Sequence, residues 1–228
     1  MPVKDDIRML GAFGEIGTYS FFRSHHISTM EGGMFVTSDE ELYIYASSIR
    51  NHGWARNIKP NKYLQNTDTD PWSENFRFYL PGYNLRPLEI SGAIGLIQLK
   101  KIARLIASRR ENAKLLKEQI DNSIYHLQEQ GSSGTWMAFA LLIKDFKLSR
   151  RQVLQELKTI GVETRPIVSG NFLKQPVIQR LKDKIHTFGD FKNSDFVDSN
   201  GFMFANHGRS LEKELLEIVE CLNNVKLS

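Results

Sequence analysis

"SFFRSHHISTMEGG", residues 20–33, places two adjacent histidines, His25 and His26, between an aromatic pair and a Gly-Gly turn. The preceding "GTYSFF" predicts an extended segment, and the following "MFVT" predicts a short strand. Adjacent side chains of one strand point to opposite faces, so a purely structural histidine pair is the simplest interpretation. A polar "SHHIST" between two apolar strands is, however, costly to bury unless it faces a ligand. The pair is therefore a candidate functional site.

The amino-acid composition limits the classes of protein to which the chain can belong. The 228 residues are 41% hydrophobic and 25% charged, which indicates a folded globular protein. The net charge is +4, but the basic residues are scattered, which disfavours nucleic-acid binding. The longest apolar stretch, residues 136–143, is far shorter than the roughly 20 residues of a membrane helix. The N-terminus has no signal-peptide pattern, so a cytoplasmic protein is expected.

Predicted elements alternate between helices and strands. Ser38 with Glu41 predicts a capping box for a helix that ends near residues 52–53, and residues 54–82 predict a long connection. Pro87 predicts the first turn of a second helix that runs to about Asp121. Its apolar residues recur every three to five positions and predict a core-facing stripe, made of Ile90, Ile94, Ile97, Ile102 and Leu105.

The remainder predicts a small α+β domain. "TWMAFALLI" and "VETRPI" predict strands, and Ser149 with Gln152 predicts a capping box for the helix between them, which Gly161 closes. Two short helical pieces follow, and an amphipathic helix begins at about Ser210. The chain has one cysteine, Cys221, which excludes an internal disulfide framework. No metal site is predicted.

The segment "FGEIGTYSFFRSHHISTMEGGMFVTSDEELYIYASSIRNHG" resembles the cofactor-attachment segment of the vitamin B6-dependent nucleotide-sugar aminotransferases of the DegT/StrS type. The resemblance implies an α/β fold, namely part of the aspartate-aminotransferase-like fold of pyridoxal phosphate (PLP)-dependent transferases. Residues 1–108 would form the end of the large cofactor-binding domain, and residues 109–228 the small C-terminal α+β domain.

The resemblance includes one informative difference. Most members carry a lysine five residues after the serine of "SFF", and this lysine binds PLP covalently. Five residues after Ser20 stands His25, and no lysine occurs between Lys4 and Lys59. Histidine at this place resembles the 4-keto-6-deoxyhexose 3-dehydratase branch, which makes 3-deoxy sugars for lipopolysaccharide and other surface polysaccharides. That branch binds pyridoxamine phosphate (PMP) or PLP without a covalent bond.

The branch implies roles for the histidine pair. His25 would be the catalytic base at the cofactor's C4′ carbon, because an imidazole with an ordinary pKa of about 6.5 exchanges protons near neutral pH. His26 would lie beside the cofactor, in a role left open. Members with an iron–sulfur cluster carry cysteines in the loop after "RNHG", and cluster ligation commonly takes four. The loop here, "WARNIKPNKYLQNTDTD", has none, so the cluster-free kind is implied.

Further residues follow from the same resemblance. Ser20 would donate its hydroxyl to the cofactor phosphate. In "GYNLRPLEISGAIGLIQL", Asn84 would reach the phosphate of a neighbouring subunit, which implies a homodimer. Arg165, in "GVETRPIVSGNF", and His207, in "FANHG", would contact the nucleotide-activated 4-keto-6-deoxy sugar. Without the family, a solvent-facing strand serine is the favoured interpretation of Ser20, and a surface strand position explains Arg165 equally well. Asn84 alone would be typical of a turn.

Full members of the family carry a longer N-terminal half, with the phosphate loop, an aromatic residue that stacks on the cofactor and the aspartate that pairs with its ring nitrogen. The resemblance here begins at about Leu10, so a C-terminal portion is expected. Three interpretations stay open: an inactive product, an enzyme completed by a separate chain that supplies the other half, or a non-enzymatic dimerising module. An ordinary sugar aminotransferase is disfavoured because the lysine is absent.

Overall fold

The computed structural model describes residues 10–56, 70–129, 134–145 and 147–225. The chain divides into two compact units, Met1–Lys101 and Ile102–Ser228. The predicted domain boundary at residue 108 stays a prediction. The elements in chain order are β1 (Gly17–Ser20), β2 (Gly33–Val36), α1 (Glu40–Arg50), α2 (Pro71–Glu74), α3 (Glu89–Gln119), β3 (Tyr125–Leu127), β4 (Ala138–Ile143), α4 (Arg150–Thr159), α5 (Pro176–Leu181), α6 (Lys192–Asn200), β5 (Gly201–Ala205) and α7 (Glu212–Asn223), with 3₁₀ turns at Phe172–Lys174 and Lys182–Lys184.

In the first unit, β1 and β2 form the expected extended pair. They are antiparallel, with Gly17 opposite Val36 and Ser20 opposite Gly33. Helix α1 follows, but the predicted capping box at Ser38 is wrong by one residue. Asp39 is the N-cap, and its carboxylate accepts from the backbone N–H groups of the second and third helical residues. Asp caps a helix as well as Ser does, so sequence alone left the choice between adjacent residues open.

Helix α3 is 31 residues long and begins in the first unit. The prediction that its apolar stripe faces a core is wrong for the first turns, because Ile90 is 57% exposed and Ile97 is 54% exposed. Its buried residues are Arg109, Asn112, Ala113 and Leu116, which lie in the second unit. The connection predicted over residues 54–82 contains the one-turn helix α2, and residues 57–69 of it lie outside the described residues.

The second unit is built on an antiparallel three-stranded sheet in the order β3-β4-β5. Strand β4 alternates between half-buried and buried residues, and its side chains Phe139, Leu141 and Ile143 enter the core. Helices α4 and α7 pack against this core through Leu157 and Leu222, which are fully buried. The predicted capping box of α4 is confirmed: Gln152 N–H donates to Ser149, and the Gln152 side chain accepts in return.

The predicted strand "VETRPI" is reduced to one bridge, between Arg165 and Met203 of β5. Their backbones exchange two hydrogen bonds, of 2.8 and 2.7 Å. Pro166 follows at once and has no N–H to donate, which is a physical reason for pairing to stop there. The segment therefore places Arg165 at the edge of the sheet without extending the sheet.

Two buried asparagines join α3 to the turn that follows β5. Asn206 is 2% exposed and donates to the carbonyls of Arg109 and Trp136. Asn112, 3% exposed, donates to the Asn206 side chain and to the carbonyls of residues 207 and 209, and accepts from Leu211 N–H. Arg109 Nε donates to Asn206 O, and burial lowers the pKa of Arg109. These bonds satisfy polar groups that could not otherwise be buried.

Replacing Asn206 with alanine is expected to destabilise the protein by about 3 kcal/mol, because it leaves several buried polar groups without partners. The measurement is urea unfolding followed by circular dichroism. Asn224→Ala is the matched control, since Asn224 is the exposed C-cap of α7 and its side chain donates to Glu220 O of that helix. Equal free energies of unfolding for the two variants would contradict the role given to Asn206.

Candidate active site

The histidine pair lies on a closed loop between β1 and β2. Phe21 N–H donates to Gly32 O, and Thr29 N–H donates to Phe21 O, both at 2.9 Å. These two bonds bring the ends of the loop together, so residues 22–28 form a closed loop that extends from the β1–β2 pair. Ser20 is the last residue of β1, and it stands exposed at the base of this loop. Ser20, His25 and His26 are thus brought together on one local structure.

The position of the His25 imidazole is restricted by Phe22. The backbone N–H of His25 donates to the backbone carbonyl of Phe22 at 2.9 Å, which forms a turn. The two rings meet edge to face, with centroids 5.9 Å apart. Both His25 and His26 are half-buried. A half-buried imidazole keeps one part of its ring available to a ligand while its direction is fixed by its neighbours.

Thr29 anchors the histidine loop to α3. It is 6% exposed and donates from its hydroxyl to Glu31 O at 2.7 Å. Gly32 has a φ of 146°, and a Cβ there would lie 2.7 Å from Thr29 Oγ1, so only glycine fits. A Cβ at Gly95 of α3 would lie 3.2 Å from Thr29 Cγ2. The "SHHIST" and "GAIG" motifs are therefore in contact.

Asn84 is held by main-chain bonds on both sides. Tyr83 N–H donates to Ile49 O at 2.7 Å, and Leu85 N–H donates to Arg50 O at 2.9 Å. Asn84 itself pairs with Asn51 in an isolated antiparallel bridge. The Asn84 side chain is exposed, and its Oδ1 accepts from Arg86 Nε at 3.4 Å. The backbone is fixed, and the amide is available to a ligand.

Gly53 and Gly82 allow the backbone after α1 to cross the backbone that leads to Asn84. Gly53 has a φ of 83°, and a Cβ there would collide with the backbone of Leu80. A Cβ at Gly82 would lie 2.9 Å from Gly53 Cα and closer still to the neighbouring backbone of His52. Gly53 O also accepts from Tyr79 N–H. The "HG" and "PGYN" sequences are therefore two sides of one contact.

In the second unit, Arg165 pairs with Met203 of β5, and His207 lies two residues after the end of that strand. Arg165 is exposed, and its guanidinium lies 3.6 Å from the Glu163 carboxylate, an exposed pair that contributes little to stability. His207 is exposed, and its backbone carbonyl accepts from buried Asn112 at 3.2 Å. Gly208, next to it, packs against Leu105 without room for a Cβ. Both predicted substrate residues are exposed side chains on a fixed backbone.

The donors on the first unit suit a phosphorylated pyridine cofactor. Hydroxyl and amide side chains bind phosphate by hydrogen bonds, and an imidazole moves protons near neutral pH. Residues 10–56 contain no lysine, so no amine on the histidine loop competes for the place of His25. In the described part of the chain, no group of three His, Cys, Asp or Glu could hold a metal ion. Nor does any helix there have the length and apolar character to cross a membrane.

The chain belongs to the DegT/DnrJ/EryC1/StrS aminotransferase family, whose family model matches residues 3–223. The resemblance stated from the motifs is thereby confirmed. One relative is the GDP-4-keto-6-deoxy-D-mannose 3-dehydratase of Escherichia coli O55:H7, 43% identical over 219 residues. The match covers 94% of this chain and 55% of that protein. The chain therefore spans about half the length of the relatives it matches.

Solved structures confirm the fold. The Escherichia coli GDP-4-keto-6-deoxy-D-mannose 3-dehydratase with bound hydrated PLP matches with a TM-score of 0.88 and 42% identity, over 95% of this chain and 56% of that chain. A variant of such an enzyme with bound GDP-perosamine matches with a TM-score of 0.87 and 42% identity, over 93% of this chain and 55% of that chain. The fold is thus part of the PLP-dependent aminotransferase fold, as predicted.

Sequence reasoning missed Arg86 and Thr29. Arg86 contacts the Asn84 amide, and the only signal for this was its place two residues after the asparagine. Thr29 connects the histidine loop to α3, and the glycines of "GAIG" were the available sign of a close approach. Neither contact follows from periodicity, because each joins separate segments or depends on a side-chain direction.

Gly82→Ala is expected to destabilise the protein by about 2 kcal/mol or more, because its new methyl group meets backbone rather than a flexible side chain. Gly92→Ala is the matched control. A Cβ at Gly92 meets no atom within 4 Å, and alanine in a helix gains up to about 1 kcal/mol over glycine. Thermal unfolding measures both variants, and a Gly82→Ala protein as stable as wild type would disprove the crossing.

Proposed function

We propose that this chain forms the cofactor- and substrate-binding C-terminal part of a PMP- or PLP-dependent 4-keto-6-deoxyhexose 3-dehydratase. The substrate proposed is a GDP-linked 4-keto-6-deoxy sugar, and the product a 3-deoxy sugar for surface polysaccharide. The observation that carries the proposal is His25, on a lysine-free loop, at the place where the family's covalent lysine is expected. The 43% identity to a GDP-4-keto-6-deoxy-D-mannose 3-dehydratase supports the same substrate class.

Three side chains are proposed to hold the cofactor without a covalent bond. Ser20 would donate its exposed hydroxyl to the phosphate, and Asn84 would donate its amide, as the resemblance implies. Arg86, two residues from Asn84, orients that amide by donating to its oxygen. His26 would lie against the cofactor beside His25. The chain has one cysteine, so an iron–sulfur cluster is not part of this proposal.

His25 is proposed as the catalytic base. Bound PMP would supply an amine that reacts with the sugar's C4 ketone and a ring that delocalises negative charge. His25 would take and return a proton at the cofactor's C4′ carbon, with its imidazole directed by Phe22. Because an imidazole has no primary amine, His25 would not form the stable imine that a lysine forms, and it would leave the sugar ketone to the cofactor's own amine. This distinguishes the proposed dehydratase from an ordinary aminotransferase.

Arg165 and His207 are proposed to contact the sugar nucleotide. The planar guanidinium of Arg165 can bind a phosphate or hydroxyl group by two hydrogen bonds. The ion pair with Glu163 is exposed and 3.6 Å long, so a phosphate could replace that carboxylate at small cost. His207 stands on the turn fixed by Asn112 and Asn206, so its backbone is placed before substrate arrives.

Association with further polypeptide is part of the proposal. Leu85, Leu88 and Leu96 are each more than 60% exposed, and they flank the Asn84 motif and the start of α3. Apolar exposure on this scale is typical of a surface that another polypeptide covers. The proposed partners are a second copy of this chain, as in a homodimer, and a separate chain that supplies the family's N-terminal half.

The first test is a titration of the purified chain with PMP, followed by absorbance and thermal unfolding. Saturable binding is expected, with a rise in unfolding temperature that grows with ligand concentration. His25→Ala and Asn84→Ala should weaken binding about tenfold or more, because each removes a proposed cofactor contact. His126→Ala is the control, since His126 is exposed on β3 in the second unit. Absence of binding, or equal loss in the control, would overturn the assignment to this chain.

His25→Lys tests the position of the imidazole. Lysine at residue 25 is expected to bind PLP covalently, so that borohydride reduction leaves the cofactor's mass on the protein. Mass spectrometry of digested protein would locate the addition at residue 25. His126→Lys places the same amine on β3, where no addition is expected. An unmodified residue 25 would mean that the histidine loop does not face the cofactor.

A further inference from the structure

Val168 occupies an unfavourable backbone conformation in the loop after Arg165. Its φ is 53°, in the left-handed region where a β-branched side chain is strained. Gly170 N–H donates to Ile167 O at 2.9 Å, so Val168 is the first central residue of a β-turn. A positive φ at that place is typical of turns that favour glycine, asparagine or aspartate. A valine there costs folding free energy.

Packing within the described residues does not compensate this cost, because Val168 is 85% exposed. Four non-glycine residues in the described part of the chain have positive φ, and Val168 is the β-branched one among them. Strained residues of this kind cluster at ligand sites, where the surrounding structure enforces them. The fold therefore offers the Val168 side chain little packing that could offset the strain.

The surrounding structure does enforce the turn. Lys174 Nζ lies 2.8 Å from the carboxylates of both Asp195 and Asp198 on α6, and this contact holds the pKa of each carboxyl below its usual value. Asn171, 7% exposed, donates to Asp195 and accepts from Leu173 N–H. A Cβ at Gly170 would lie 2.8 Å from Asp198 Cγ. The loop thus contacts helix α6 at Gly170, Asn171 and Lys174.

We propose that Val168 is a specificity-determining residue that contacts the sugar of the nucleotide-sugar substrate. The inference rests on the proposed function, and it adds a residue that the motifs did not identify. Val168 lies three residues after Arg165, which is fixed to Met203 by two backbone hydrogen bonds. A 6-deoxy sugar carries a methyl group where other hexoses carry a hydroxymethyl group. An isopropyl side chain suits that methyl group and disfavours the polar alternative.

Val168→Gly is expected to preserve or raise the stability of the protein and to weaken its binding of the sugar nucleotide. Glycine adopts the positive φ without strain, so the unfolding temperature should stay equal to wild type or rise by a few degrees. Loss of the apolar contact should raise the Kd for GDP-perosamine about tenfold while the Kd for GDP stays unchanged. Isothermal titration calorimetry of both ligands against the full chain, with a thermal melt, measures these quantities.

Val177→Gly is the matched control, because Val177 is an exposed valine in helix α5. Glycine in a helix should lower the unfolding temperature and leave both Kd values unchanged. A Val168→Gly protein that melts lower than wild type, or that binds GDP-perosamine with an unchanged Kd, would overturn the proposal. Wild type that binds GDP-perosamine no more tightly than GDP would do the same.

Failure here and failure of the proposed function give different results. Loss of the PMP binding described above, with GDP-perosamine binding and its Val168 dependence intact, would reject the cofactor assignment alone. Normal PMP binding with no Val168 effect would reject the sugar contact alone.

Discussion

The second unit depends on the buried amide pair of Asn112 and Asn206. A helix and the turn after an edge strand each leave backbone groups that need partners once water is excluded. Two side-chain amides supply donors and acceptors to both segments, at distances between 2.8 and 3.2 Å. These hydrogen bonds fix the backbone of the turn that carries His207. The sheet edge that receives Arg165 belongs to the same strand, so both proposed substrate residues stand on this framework.

Local patterns predicted the parts of the fold that local forces decide. The β1–β2 pair follows from two apolar runs with a glycine turn, and the α4 capping box follows from a serine three residues before a glutamine. The exposed stripe of α3 was predicted as core, because periodicity identifies an apolar face and says nothing of what covers it. The α1 cap was misplaced by one residue, since Ser38 and Asp39 are equivalent in capping ability.

The candidate site likewise has residues that the sequence pointed to and features that only the tertiary structure reveals. His25, Ser20 and Asn84 were proposed from the family resemblance of the motifs that contain them, and each lies on a backbone that main-chain hydrogen bonds hold. The crossing of Gly53 and Gly82 was invisible in the sequence, because it joins segments 29 residues apart through absent side chains. Val168 was equally hidden, since a strained φ leaves no compositional sign. Close approach and strain are properties of tertiary structure.

Main-chain bonds fix the backbone around Asn84, and similar bonds close the histidine loop. These hydrogen bonds join backbone N–H and C=O groups, which do not depend on the side chain of the residue. The backbone can therefore keep its conformation when a side chain that it presents is replaced. Chemistry can therefore diverge faster than architecture. On the role proposed for His25, a replacement at residue 25 would change the reaction type while the fold remains unaltered, which offers a physical route for related enzymes to produce different sugars on one common framework.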